Sequence, residues 1–181
     1  MENTKRTKRE IKSVEDLIAL SKNPKLWQEH FIQKADLDMA GIANFSPIGN
    51  REISFNGSFC GNGMVIKNLT INCPQIEGVG LFGYCDVKAN VQSVILINCN
   101  ITGADAVGGI CGWNEGGRIE YCEVSGTIKA TENYDAIGCV VGCNCDGGIV
   151  EMNIGECKII TDEEVFTDDK ECGYNKVLDN N

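Results

Sequence analysis

The sequence predicts an all-β solenoid, a right-handed parallel β-helix with a short N-terminal α-helical cap. Three observations support this prediction. Glycine-rich segments recur about every 30 residues, alternating apolar strands follow them, and the chain holds 21 glycines but only 3 prolines. A period of this length with short strands is typical of solenoids, in which each unit packs on its neighbours. The units lack the helical periodicity of ankyrin or tetratricopeptide repeats.

The repeat is visible when three segments are aligned on their last glycine: GVGLFGYC, VGGICGWN and IGCVVGCN. The aligned glycines are Gly83, Gly112 and Gly142. A turn and an alternating apolar strand follow each segment, and an earlier strand, MVIKNLTINC, has the same form. The chain therefore contains about three copies of one supersecondary unit, and strands of successive coils should pair in parallel.

The eleven cysteines are interpreted as structural, because they fall at repeat positions that other apolar residues also occupy. The shared positions are predicted to be Phe82/Cys111/Val141, Tyr84/Trp113/Cys143 and Cys73/Cys99/Cys122/Met152. Two alternatives stay open for the run CVVGCNC, a metal site and a Cys143/Cys145 redox pair. The run lacks the paired C-x2-C spacing and the nearby histidine of a zinc site.

Different sequences flank the repeats. Residues 1–36 are predicted to form an N-terminal helical cap of two short helices, the first N-capped by Ser13 and the second starting at Pro24. Residues 37–161 are predicted to form the β-helix, with about three repeats. Residues 162–181 are predicted to form an acidic C-terminal tail or cap.

The charge and hydropathy of the chain limit the classes of partner it is expected to bind. The net charge of -10 disfavours nucleic acid and anionic membranes and favours a protein partner with a basic surface. No apolar run follows the basic N-terminus, and no window reaches the roughly 18 apolar residues of a spanning helix. We therefore expect a cytoplasmic protein without membrane contact. An extracellular location follows instead if the chain is a fragment of an exported protein.

The run HFIQKADLDMAGIANFSPIGN, then FNGSFCGNGMVIKNLTI and the glycine-rich copies, resemble the GLUG-repeat β-helices of bacterial surface adhesins and secreted peptidases. The elements ADLD, PIG and GNGxxIKNL stand in the family's order over roughly residues 30–160. The resemblance implies a right-handed β-helix whose usual task is binding rather than catalysis. Two features depart from the family. Cys60 stands where an acid is usual, and the chain shows neither an export signal nor a wall anchor.

No catalytic, metal or cofactor site is predicted. Glycoside hydrolysis needs two placed carboxylates, and lyases need a base. The acids at predicted turns are interpreted as the solvated edge of a solenoid. The single histidine, His30, lies beside Phe31 in the cap segment and is interpreted as structural. The sequence contains no H-E-x-x-H motif, so the chain is not expected to be an enzyme.

The leading functional hypothesis is a cytosolic protein-binding solenoid with one acidic face. Carboxylates on successive rungs, about 4.8 Å apart, approximate the spacing of backbone phosphates. Such a face would suit a phage or mobile-element inhibitor that occludes a nucleic-acid-binding host enzyme, an anti-defence role. The carboxylates assigned to this face are Glu115, Glu120, Glu123, Asp146, Glu151 and Glu156.

The alternative is an adhesin-like surface module that binds glycan or host protein through Tyr84 and Trp113. If their shared position points outward, they form a two-rung aromatic patch; if it points inward, they are core. Cys143 in the third copy favours the interior position. A third hypothesis is a structural unit that caps a longer assembly. An electrostatic complex should weaken steeply with salt, whereas an aromatic contact should not.

Overall fold

The computed structural model describes residues 8–132, 135–161, 165–168 and 172–175. It confirms the all-β solenoid, a parallel β-helix of about four coils whose strands form three sheets. Sheet A consists of β1 (Arg9–Ile11), β2 (His30–Gln33), β4 (Ser58–Cys60), β8 (Asn90–Gln92), β11 (Arg118–Glu120) and β14 (Ile149–Glu151).

Sheet B consists of β3 (Leu37–Asp38), β5 (Val65–Lys67), β6 (Thr70–Cys73), β9 (Ile95–Gly103), β12 (Glu123–Ala130), β15 (Ile154–Ile160) and β16 (Val165–Asp168). Sheet C consists of β7 (Phe82–Cys85), β10 (Cys111–Glu115), β13 (Val141–Cys145) and β17 (Cys172–Asn175). Each coil passes through sheets A, B and C in turn. Among the described residues, paired strands run parallel except β15 with β16.

The N-terminal segment contains both predicted helix starts. Helix α1 (Val14–Ser21) starts at a capping box, in which the Ser13 hydroxyl accepts from the Asp16 backbone N–H and the Asp16 carboxylate accepts from the Ser13 backbone N–H. The second helix is a single 3-10 turn, Pro24–Leu26. The same segment also contains β1 and β2, two strands of sheet A that the sequence pattern did not predict.

The core is built from columns of apolar side chains that stack from coil to coil. Phe31, Phe59, Val91 and Ile119 are register partners in sheet A, and all are almost fully buried. An equivalent column in sheet B holds Ile66, Leu96 and Val124. Since each coil completes its core by stacking on the neighbouring coils, stability depends on keeping this register.

A row of glycines runs through sheet C at Gly83, Gly112, Gly142 and Gly173. A Cβ at Gly112 would overlap the backbone of residues 78–79, and one at Gly142 would overlap that of residues 106–107. The segment that precedes each sheet C strand therefore lies directly against the glycine of the following coil. No side chain larger than hydrogen fits at this contact.

Two of the three predicted sets of shared positions are confirmed. Cys111 is the register partner of Phe82 and Val141, and Trp113 is the partner of Tyr84 and Cys143. The third set is wrong. Cys73 pairs with Gly103 and Cys99 with Gly126, while Met152 lies at an exposed corner. The register of β12 against β9 in sheet B shifts between Val124 and Gly126. Positions counted from the sheet C glycines therefore do not match from coil to coil beyond this shift.

A polar ladder runs along sheet B. The Asn98 side-chain amide donates to Asn68 Oδ1 over 2.7 Å, and the Asn68 amide donates to Asp38 Oδ1 over 2.7 Å. Asn68 and Asn98 both have left-handed backbones, which asparagine tolerates better than most residues. The Asn68 amide, the Ala40 N–H and the Lys67 ammonium lower the pKa of Asp38, because all three favour the carboxylate.

We expect Gly112→Ala to lower the free energy of unfolding by about 1–3 kcal/mol, because the new methyl group meets backbone that cannot move aside. The matched control is Gly41→Ala, since a Cβ at Gly41 has no neighbour within 4 Å. Urea unfolding followed by circular dichroism measures both. Equal stability of the two variants would contradict the proposed packing role of the glycine row.

The lowered pKa of Asp38 leads to a second prediction, which concerns the pH dependence of stability. Because its folded pKa is lowered, its contribution is complete above the unfolded pKa and is lost as pH falls through the folded pKa. Unfolding at several pH values between about 7 and 2 should show a shallower acid loss for Asp38→Asn than for the wild type. Identical acid limbs would show that this carboxylate does not contribute.

Candidate ligand-binding surfaces

The six predicted carboxylates do not share one face, because the coil carries them at two corners. Glu115 and Asp146 lie where sheet C strands lead into sheet A, and Glu115 is the register partner of Cys145. Both side chains are exposed. A sheet A strand separates them from the other four carboxylates.

Those four carboxylates surround the corner between sheets A and B. Glu120 and Glu151 are register partners at the ends of β11 and β14. Glu123 starts β12, and Glu156 lies further along β15 on the same outer side. Arg118 pairs with Glu120 over 2.6 Å, so the exposed negative charge at this corner comes from the other three.

Large apolar side chains project from the same corner. Tyr121 is 57% exposed, Met152 is 68% exposed and Ile154 is 56% exposed. Tyr121 and Met152 have left-handed backbones (φ 56° and 58°), as Ser93 has at this corner one coil earlier. The turn geometry therefore belongs to the fold, whereas the large side chains belong to the last two coils. We call Tyr121, Met152 and Ile154 the corner ridge.

Tyr84 and Trp113 stack on each other with ring centroids 6.1 Å apart and an interplanar angle of 11°. Trp113 also packs on Ala106, Ala136 and Cys143, in a small cluster separate from the main core. Tyr84 is only 6% exposed. Since the rings cover each other's faces, a ligand meets their edges rather than a flat aromatic platform.

A cleft of about 590 Å³ opens beside Tyr84. Ile48 pairs with Phe82 and Phe55 with Cys85, so the loop between Ile48 and Phe55 bulges out of the regular coil. Asn50 closes this loop, since its Oδ1 accepts from the N–H groups of residues 52 and 53. The cleft is lined by Pro47, Gly49, Asn50, Arg51, Glu52, Gln75, Ile76, Glu77, Gly78 and Tyr84.

The cysteines form no metal site in the described part of the chain, where no group of three or more His, Cys, Asp or Glu side chains could hold an ion. Several thiols donate to backbone carbonyls of their own or neighbouring strands, as Cys122 does to Glu120 and Cys145 does to Asn114. His30 Nδ1 lies 2.9 Å from the Ser58 hydroxyl, between two strands of sheet A. These contacts are structural.

Thiol labelling tests this arrangement. Burial raises the pKa of Cys99 and of Cys122 to about 12, so their thiolates are scarce at neutral pH. Cys60 and Cys73 are half-buried, and eight cysteines are buried: Cys85, Cys99, Cys111, Cys122, Cys139, Cys143, Cys145 and Cys157. We expect a disulfide reagent to label Cys60 and Cys73 before the buried eight, which should react only as the protein unfolds. Peptide mapping by mass spectrometry measures the order, and early labelling of Cys143 or Cys145 would contradict it.

Comparison with known proteins agrees with the fold. Residues 103–129, which contain β10 and β11 and most of β12, match the family of the GLUG motif. Over 96 residues the chain is 36% identical to Halomucin of Haloquadratum walsbyi, a stretch that spans 53% of this chain and 1% of Halomucin. No solved structure gave a significant match.

The chain folds as a parallel β-solenoid with a short helix at its N-terminal end. The GLUG match over residues 103–129 and the similarity to Halomucin support a GLUG-repeat β-helix. These findings fit an adhesin-like surface module. They give no support to the cytosolic anti-defence inhibitor. None of the helices in the described residues is long and apolar enough to cross a membrane.

Proposed function

We propose that this chain is a non-enzymatic, adhesin-like surface module that binds a protein partner with a basic surface through the corner ridge. The observation that carries the proposal is the exposure of Tyr121, Met152 and Ile154 on successive coils, beside carboxylates that form no ion pair among the described residues. Isolated exposed apolar residues are ordinary, but three neighbouring ones beside charged residues are typical of interaction surfaces. The similarity to a protein named as a mucin supports an extracellular location.

The geometry of the ridge suits an extended partner segment. Tyr121 and Met152 lie on adjacent rungs, joined by the hydrogen bond from the Tyr121 N–H to the Glu151 carbonyl. Ile154 lies next to Glu123 in the sheet B register. Apolar side chains of a partner would pack on the ridge, and its lysine or arginine side chains would reach Glu123, Glu151 and Glu156. Nucleic acid is not proposed as a partner, because these carboxylates repel phosphate.

The rigid sheet beneath the ridge supports binding at low entropic cost. The ridge side chains lie at corners whose backbone is hydrogen-bonded to the coil before and the coil after. The Ile154 N–H donates to the Cys122 carbonyl, and the Glu123 N–H donates to the Val94 carbonyl. A preformed surface loses less conformational freedom on association than a loop does. Tyrosine is also one of the residues that contribute most to interface free energies.

To test this proposal, the chain is immobilised and exposed to extracellular and cell-surface proteins. The bound proteins are then eluted with a salt gradient. We expect basic proteins to be retained and released as salt rises. The double variant Tyr121→Ser/Met152→Ser should weaken the retained complex about tenfold or more, as measured by surface plasmon resonance with the purified partner. Glu151→Lys should weaken it through charge repulsion.

Two matched controls isolate the ridge. Val87→Ser removes an equally exposed apolar side chain at another corner, and Glu115→Lys makes the same charge reversal away from the ridge. Neither should change affinity by more than about twofold. If the ridge variants bind as tightly as the wild type, or if the two controls lose affinity equally, the ridge is not the binding surface.

A further inference from the structure

The cleft beside Tyr84 exists because the chain departs from its own repeat. Residues 49–54 bulge from the first coil, and the turn that leads from β6 to β7 forms the opposite wall. In solenoids, insertions into single repeats map to loops that often carry the binding face. The cleft volume of about 590 Å³ lies within the range of small-molecule sites, roughly 300–1,000 Å³.

Tyr84 is held in the wall of this cleft by the groups around its ring. Tyr84 is more than nine-tenths buried, yet it lines the cleft, and within the described residues no group hydrogen-bonds its hydroxyl. Gly78 makes room for the ring, because a Cβ there would overlap the Tyr84 ring atoms. Trp113 covers the other face. The Tyr84 hydroxyl is not one of the buried polar atoms without a partner, so it faces the solvent of the cleft, where a ligand can reach it.

The hydroxyl also stays protonated. Burial, and then the Glu77 carboxylate, raise the pKa of Tyr84 above its usual value. At neutral pH the group can therefore both donate and accept a hydrogen bond. A sugar hydroxyl has the same two capacities, so the two groups match whichever way the ligand hydroxyl is oriented.

The remaining polar side chains of the cleft are exposed to solvent. Arg51 and Glu77 approach to 3.6 Å, with side chains 81% and 52% exposed, so the pair is loose and screened by solvent. Gln75 and Glu52 are exposed, and Asn50 keeps its side-chain NH2 because only its Oδ1 holds the loop. The cleft thus offers both donors and acceptors, with one cation against two carboxylates.

This charge balance selects the class of ligand. The excess carboxylate repels sialylated, sulfated or uronic-acid sugars. Carboxylates accept pairs of hydroxyl groups, while guanidinium and amide groups donate to the ring and glycosidic oxygens. Ile76, which is 54% exposed, and Pro47 offer apolar contact to the C–H face of a sugar ring.

We propose that the cleft lined by residues 47–52, 75–78 and Tyr84 is a binding site for neutral glycans, with the Tyr84 hydroxyl and the Glu77 carboxylate as its main hydrogen-bonding groups. This site is separate from the corner ridge and does not depend on it. The chain would then carry two binding surfaces, one for sugar hydroxyls and one for a basic protein segment.

The test is a glycan array that carries neutral, sialylated and sulfated oligosaccharides, probed with the complete chain. Titration calorimetry then follows with the neutral oligosaccharide that gives the strongest signal. We expect binding to neutral glycans only. Tyr84→Phe should weaken it about three- to tenfold, because it removes one neutral hydrogen bond. Glu77→Ala should weaken it about tenfold or more, because hydrogen bonds to charged groups contribute more.

Matched controls separate binding from folding. Tyr121→Phe removes a hydroxyl from the ridge, and Glu123→Ala removes a carboxylate there; both should leave glycan affinity unchanged. The melting temperature of Tyr84→Phe should match that of the wild type, because its hydroxyl has no described partner to lose. A glycan affinity that survives both cleft variants would place the sugar elsewhere and overturn the proposal.

Two further outcomes would also overturn it. One is an array signal confined to anionic glycans, and the other is an array without signal combined with cleft-dependent binding of a lysine-rich peptide. Since the ridge variants test protein binding, failure of the cleft leaves the proposed function intact. Failure of the ridge likewise leaves the glycan site intact.

Discussion

The structure depends on one contact, the packing of each sheet C glycine against the backbone that precedes the sheet C strand of the coil before it. Gly112 lies on residues 78–79, Gly142 on residues 106–107 and Gly173 on Ile137. The contact fixes how far one coil is displaced along the axis from the next. The apolar columns of sheets A and B, and hence both proposed binding surfaces, follow from this displacement.

The same contact explains how much of the fold the sequence predicts. A position restricted to glycine on every coil leaves a visible period, and the alternating strands after it supply the rest of the coil. The chain segment CGYN, Cys172–Asn175, has the pattern of CGWN in β10, and it pairs with β13 in the repeat register. This signal was present in the sequence, but the surrounding acids obscured it.

The binding surfaces were harder to predict, because they depend on where the chain turns from one sheet to the next. Left-handed residues at Ser93, Tyr121 and Met152 decide where the chain turns, and ordinary residue types occupy these positions. Carboxylates that look equivalent along the strands are therefore divided between two corners. The cleft arises in the first coil, where the repeat is least regular, so no period marks the loop at residues 49–54. Tyr84 was predicted as a site residue, but its partners Arg51 and Glu77 were not.

Amide hydrogen exchange measured by NMR tests the coil stacking most directly. The N–H groups of Phe82 in sheet C, Arg118 in sheet A and Asn100 in sheet B donate to carbonyl groups of neighbouring coils. We predict that they exchange among the slowest in the protein, with similar rates in all three sheets, and that Gly112→Ala accelerates them together. Slow exchange confined to α1, with fast exchange through β7, β10 and β13, would contradict the stacked solenoid.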